Sequence, residues 1–259
     1  MPELIEVEAY RGLAERIVGR TVARAEALDG WYLRGDRDPR DVGRALRGRV
    51  VQAARRTGKV LFLDTDGPTV ALRFGMTGRL VLDGAGPIDR LEYASGRDDP
   101  AWIRFRLRFV EGGALWISDP RRLGSVELDA DEDVLGPDAA SVSRADLGRI
   151  LAGSRTALKA RLLDQGRIAG IGNLLADEAL WRAGIDPARP AGSLSGPELG
   201  RLHRHLAATI GQLTERGGSH TGDLHVARVP GATCPRDGAV LLRRTIGGRT
   251  TYSCPRHQR

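Results

Sequence analysis

The sequence predicts an α+β fold: an N-terminal antiparallel β-sandwich with a flanking helix, then a helical domain that ends in a β-hairpin zinc finger. Three observations carry this expectation. Short runs in the first half alternate apolar and polar residues, most strictly in Arg104-Phe105-Arg106-Leu107-Arg108-Phe109. Successive strand side chains point to opposite faces, so such a run buries one face of a sheet. The texture turns helical after an acidic, turn-rich stretch over 129–138. The last segment carries Cys and other ligand-type residues in two pairs at ribbon spacing. The domain boundaries expected are 1–130, 141–222 and 223–259.

Each element has its own signal. Val7, Tyr10, Ala14 and Ile17 fall on one helical face, so Pro2–Val18 reads as a helix stopped by Gly19. Strands are expected at 21–27, 50–54, 60–64, 70–74, 79–82, 104–109 and 114–118. Ser143-x-x-Asp146 and Ser195-x-x-Glu198 have the form of helix N-terminal caps. Helices are expected at 173–183 and 198–215. The final segment, with short strands around Gly247-Gly248, is too small for an apolar core of its own and calls for a staple.

Charge narrows the partner. The chain of 259 residues carries a net charge of +7. Arg201, Arg204, Arg216, Arg228, Arg236, Arg243, Arg244, Arg249, Arg256 and Arg259 face only Glu215, Asp223 and Asp237 in the last quarter, which therefore supplies the whole excess. A localised basic surface is the footprint of a polyanion binder. Among 40 Lys and Arg, only Lys59 and Lys159 are lysines. A compact ammonium is something Arg cannot copy, so both are site candidates. No apolar run approaches the ~20 residues of a membrane span. The acidic start is not a signal peptide, and two cysteines without an export signal point to a reducing cytosol.

Five motifs carry chemistry. Removal of Met1 exposes the secondary amine of Pro2, and an α-amino group titrates near ~8, leaving a neutral fraction at physiological pH. Such an amine can attack a sugar C1′ and collapse to an iminium. Glu3 is placed to move protons, and Glu6 lies one turn on. Phe74-Gly75-Met76-Thr77-Gly78 reads as a tight loop presenting Met76. Asp119-Pro120-Arg121-Arg122-Leu123-Gly124 is a turn with Arg and an apolar tip, residues suited to filling the gap left when a base is pulled from its stack. Glycines run into a helix start at Gly170-Ile171-Gly172-Asn173, where backbone N–H groups make an anion site suited to a DNA phosphate. Finally, Cys234-x2-Asp237 and Cys254-x2-His257 offer S, N and O ligands for one structural Zn2+ per chain.

Together these motifs resemble the formamidopyrimidine-DNA glycosylase and endonuclease VIII family over nearly the whole chain. The resemblance implies a helix-two-turns-helix second domain. It also implies a monomeric, bifunctional DNA glycosylase and AP lyase of base-excision repair acting on double-stranded damaged DNA in the bacterial cytoplasm, at the nucleoid. By resemblance Pro2 is the Schiff-base nucleophile, Glu3 the general acid and Glu6 its support. Lys59 contacts phosphate near the lesion. Arg73, Lys159, Asn173, Arg228 and Arg249 contact DNA, and Met76, Arg121 and Leu123 fill the void. The chain departs from the family at Ile5 (usually Pro), Arg73 (usually His), Leu123 (usually aromatic), in the Cys/Asp/Cys/His ligand set and in a short stretch after Asp223, where a loop capping a flipped oxidised purine is expected to be missing. A non-catalytic binder of damaged or abasic DNA on the same scaffold is the alternative.

Overall fold

The computed structural model describes residues 2–35, 37–88, 91 and 99–259, which form two compact units. The first comprises Pro2 and Glu6–Glu132; the second comprises Glu3–Ile5 and Asp133–Arg259.

The first unit holds two antiparallel four-stranded sheets. With β1 Val22–Ala27, β5 Arg79–Leu82, β6 Ile103–Phe109 and β7 Ala114–Ser118, one sheet runs β1-β6-β7-β5. With β2 Val51–Thr57, β3 Val60–Thr65, β4 Val70–Arg73 and β8 Ser125–Leu128, the other runs β2-β3-β4-β8. One apolar core takes residues from both, among them Phe105, Leu107 and Ile117 from the first and Leu61, Leu72 and Val126 from the second. Burial on facing sides is what the alternating runs predict. Helix α1, Leu4–Ala14, adds Val7, Tyr10 and Ala14 to this core. It ends in a single 3-10 turn over Glu15–Ile17 instead of running to Val18.

Among the strands and α-helices of the first unit, two escape the sequence pattern. Strand β8 has only four residues, too few to show alternation. Helix α2, Pro39–Leu46, sits in a charged stretch and buries only Val42 and Leu46; Asp38 caps it, accepting from the Arg40 N–H at 2.7 Å.

The second unit packs α3 Arg144–Leu151, α4 Leu158–Leu162, α5 Asn173–Ala183 and α6 Gly196–Glu215 around Leu147, Leu175, Leu180, Leu202 and Leu206. Leu4 and Ile5 join this core, which gives the unusual Ile5 an apolar environment. The Ser195–Glu198 box forms reciprocally at the start of α6. Strands β9 Leu242–Ile246 and β10 Arg249–Ser253 pair with Ile246 opposite Arg249. Gly247 and Gly248 between them both have positive φ, the backbone a two-residue hairpin turn demands. Trp181 of α5, Tyr252, Cys234 and Cys254 build a small apolar cluster around the hairpin.

Candidate active site and metal centre

Glu3 is fully buried, and both of its oxygens are in use. The backbone N–H groups of Leu174 and Leu175 donate to Oε1 and Oε2 at 2.8 and 3.0 Å. These are the unpaired donors at the start of α5, the positive end of the helix. The anion held there is thus the carboxylate of Glu3, and this corrects the expectation that those N–H groups are kept for a DNA phosphate. Gly172 is the N-cap residue, and Asn173 is the first residue of the helix. A Cβ on Gly172 would lie 2.1 Å from the Glu3 carboxyl carbon, so the glycine makes room for the acid. Pro2 precedes Glu3 in the chain and is buried. The peptide bond between them keeps the amine and the carboxylate in one place.

Glu6 is buried in the first unit. On the same helix Glu8 accepts from Arg56 Nε at 2.9 Å, and Arg56 also donates to the Gly58 carbonyl at 3.0 Å. This braces the tight turn of the β2–β3 hairpin, which presents the half-buried Lys59. Register carries the same end of the sheet further. Val60 pairs with Arg73, and Arg73 pairs with Ser125. The Lys59 turn, the Met76 loop and the Leu123 turn therefore gather at one sheet end. Arg73 forms an ion pair with Glu127 at 2.6 Å.

The Met76 loop and the Leu123 turn are locked together. Buried Asp119 accepts from Thr77 Oγ1 at 2.5 Å, Tyr32 Oη at 3.1 Å, and the Leu123 and Gly124 N–H groups at 2.9 Å each. Tyr10 donates to the Gly78 carbonyl at 3.2 Å, and burial followed by nearby Glu6 pushes its hydroxyl pKa far up, so it stays a donor. Gly75 has φ +56°, and a Cβ there would meet the Leu123 carbonyl carbon at 2.4 Å. Met76 is half-buried, while Arg121 and Leu123 are exposed at the tip. Asp119, Tyr32 and Tyr10 were not legible as site residues; the clue is an Asp that opens a turn lined with N–H groups.

In the second unit Asp177 and Glu178 are consecutive buried carboxylates in the otherwise apolar face of α5. Glu178 accepts from the Asp223 and Leu224 N–H groups at 3.0 and 2.9 Å and pairs with Arg182. Asp177 pairs with Lys159 at 2.6 Å and with Arg228, and accepts from the Tyr252 N–H at 3.3 Å. Lys159 is fully buried and also donates to Thr251 Oγ1 at 2.7 Å. Burial, then the cations Arg228 and Arg249, push its pKa down to about 7, against Glu3; the Asp177 carboxylate beside it favours the charged form. Arg228 lies 5.5 Å over the Tyr252 ring.

Lys159 and Arg228 therefore depart from the sequence expectation of DNA-facing cations. A buried carboxylate needs paired cations, and these two clamp the hairpin onto α5. Asn173 donates from Nδ2 to the Thr250 carbonyl at 3.2 Å, next to exposed Arg249.

The four ligand candidates converge. One ligand atom each from Cys234, Asp237, Cys254 and His257 lies within 4.8 Å of all the others. His257 Nδ1 stands 2.8 Å from Asp237 Oδ2 and 3.8 Å from Cys234 Sγ, and Asp237 Oδ2 is 3.2 Å from Cys254 Sγ. His257 Nε2 sits 3.2 Å from the Trp181 carbonyl. An N–H there leaves the Nδ1 lone pair facing the cluster, the second-shell arrangement that orients a ligating imidazole. Trp181 Nε1 and the Arg236 N–H point at Cys234 Sγ, at 3.2 and 3.4 Å, as donors do toward a thiolate. The group could hold a metal ion, and its donor set and spacing fit one.

Comparison with known proteins matches these features. The formamidopyrimidine-DNA glycosylase N-terminal domain is recognised over residues 1–126, and the H2TH domain of the same enzymes over 135–224. The chain belongs to the formamidopyrimidine-DNA glycosylase family. It is 34% identical to the formamidopyrimidine-DNA glycosylase of Roseiflexus sp. (strain RS-1) and 33% identical to that of Geobacillus kaustophilus (strain HTA426), in each case over all of both chains. Among solved structures it resembles the Lactococcus lactis Fpg in a complex with abasic-site DNA, with a TM-score of 0.83, 25% identity and full coverage of both chains. A mutant of the same Lactococcus lactis protein, in a complex with Fapy-dG containing DNA, superposes with a TM-score of 0.84 at 25% identity over all of both chains. The motifs that suggested the family thus sit on a family fold, and no helix among the described residues is long and apolar enough to cross a membrane.

Proposed function

We propose that this chain is a bifunctional DNA glycosylase of base-excision repair that acts through the nitrogen of Pro2. The observation that carries the reading is Glu3, fused to Pro2 and held by two N–H donors at the start of α5. After Met1 is removed, the neutral Pro2 nitrogen attacks C1′ of the damaged nucleotide. The C1′–base bond breaks and its electron pair leaves with the base; the Glu3 carboxylate takes the proton that the Pro2 nitrogen gives up and passes it to O4′ as the C1′–O4′ bond opens, which leaves an iminium between C1′ and Pro2. The iminium so formed acidifies C2′; loss of that proton expels the 3′ phosphate and nicks the strand. Water then releases the sugar from Pro2.

The family resemblance suggests the supporting roles. Lys59, Arg73 and Glu6 flank the reacting nucleotide, with Lys59 and Arg73 on phosphates. Met76, Arg121 and Leu123, set by Asp119, fill the gap left by the flipped base. Asn173 and Arg249 grip the backbone beside it. Lys159 and Arg228 act at one remove, by fixing the hairpin that carries Arg249.

Duplexes carrying an abasic site, a formamidopyrimidine or an oxidised pyrimidine test the reading. Nicking of the abasic duplex and release of at least one base are expected. No nicking of any of them would sink the catalytic reading, and tight abasic binding without nicking would favour the non-catalytic binder. Arg249→Ala should weaken binding and lower the slope of log K against log salt by about one phosphate contact. A slope unchanged within error would remove Arg249 from the interface.

We also propose that the Cys234/Asp237/Cys254/His257 group holds a structural zinc. When bound, zinc supplies the cross-link that so small a finger needs. Protein purified without chelator should contain about one zinc per chain and lose thermal stability on chelation. Less than ~0.2 zinc per chain would contradict the assignment.

A further inference from the structure

Trp31 is the most exposed of the large apolar side chains among the described residues, at 81%. A lone exposed apolar residue needs no explanation, but this one is built in. It sits in a short 3-10 turn, Gly30–Tyr32, and Asp29 accepts from its N–H at 3.2 Å. Asp29 also pairs with Arg122 Nε at 2.6 Å. Its other neighbour, Tyr32, is buried and donates to Asp119, the residue that shapes the Arg121–Leu123 turn. Gly124 is open to admit Tyr32, since a Cβ there would lie 2.0 Å from the hydroxyl. The residues on both sides of Trp31 are therefore fastened to the turn that carries Leu123.

The two side chains line one concavity of about 600 Å³. Leu123 is itself 48% exposed. Around them stand Arg34, Arg37 and Arg122; Asp29 pairs with Arg122 and Asp129 with Arg37 at 3.9 Å from behind, and among the described residues no carboxylate lines the cavity itself. Arg34 is steadied by a bond from Nε to Ser125 Oγ at 3.0 Å. An aromatic face, an apolar wedge and three guanidinium groups on a fixed frame match the chemistry of nucleic acid: bases stack on aromatic rings, and cations meet phosphates.

We propose that Trp31 is a base-stacking residue that, with Leu123, reads the nucleotide opposite the excised one. The inference rests on the DNA-glycosylase reading above, and on Leu123 entering the gap. Leucine wedges but offers no π face, whereas Trp31 beside it does. A purine has the larger face, so stacking favours a purine opposite the lesion.

The test measures Kd for duplexes carrying a tetrahydrofuran abasic analogue opposite each of the four bases, at one salt concentration, for the full chain and for Trp31→Ala and Trp31→Phe. Trp31 is exposed, so both variants should melt with the parent. The parent is expected to bind purine-opposed sites more tightly. Trp31→Ala should lose about tenfold on those sites and flatten the preference, and Trp31→Phe should keep most of it. An unchanged Kd and profile in Trp31→Ala, or an equal loss on all four duplexes and on undamaged DNA, overturns the proposal and leaves the glycosylase reading standing. A parent that neither binds nor nicks the abasic duplex overturns both.

Discussion

Replacing Glu3 by Gln is expected to abolish base excision while leaving the protein folded. Glutamine keeps the shape and one acceptor oxygen, so the Leu174 or Leu175 N–H retains a partner. It cannot deliver a proton. General acid–base catalysis contributes typically ~10²–10⁴-fold, so single-turnover excision should fall by at least two orders of magnitude. Nicking of a preformed abasic site should fall less, because no base has to leave and the aldehyde already offers an electrophilic carbon. Equal losses in both reactions would move Glu3 from acid to binding residue. Excision at the parent rate would remove it from the mechanism.

Gly172→Ala should reproduce that defect without touching an ionisable group. The backbone at Gly172 has φ −110°, which alanine adopts freely. The new Cβ would instead stand 2.1 Å from the Glu3 carboxyl carbon and 2.3 Å from Oε1, so the carboxylate must leave its two N–H donors. A displacement of about 1 Å in a reacting group can cost 10²-fold, and a loss of that size is expected in single-turnover excision. Because both changes act on one interaction, the double variant with Glu3→Gln should be little worse than either alone. Gly211→Ala, in α6 with nothing among the described residues within 4 Å of the new Cβ, is the control; it should leave excision unchanged and stabilise the helix by up to ~1 kcal/mol. Full activity in Gly172→Ala would show that Glu3 is not held where its contacts place it.

The legible parts of this chain were those with local periodicity or a motif. Alternation in 104–109 and the Ser195–Glu198 box each translate directly into an element, because strand faces and helix caps depend on residues a few positions apart. Paired x2 spacings likewise brought four ligands of three types together, since a tight turn fixes each pair. What escaped depends on long-range partners. The N–H groups after Gly172 advertise an anion site, yet nothing local says that the anion is a carboxylate from residue 3. Lys159 and Arg228 carry charge, which suggests a surface, and only the buried Asp177 explains why both are enclosed. Asp119 opens a motif that was read for its arginines and its leucine, while its own carboxylate organises the turn. In each case an interior polar group, invisible to periodicity, decides where the charged residues go.

Sodium borohydride trapping on an abasic duplex tests the central claim most directly. The reduced imine should appear as one covalent protein–DNA complex. Intact-mass measurement should show the protein lacking Met1, with the attachment mapping to the first peptide at Pro2. Pro2→Gly should trap weakly or not at all. Absence of any trapped complex from protein whose Met1 is shown to be removed, or attachment at Lys59 or another side chain, would contradict Pro2 as the nucleophile.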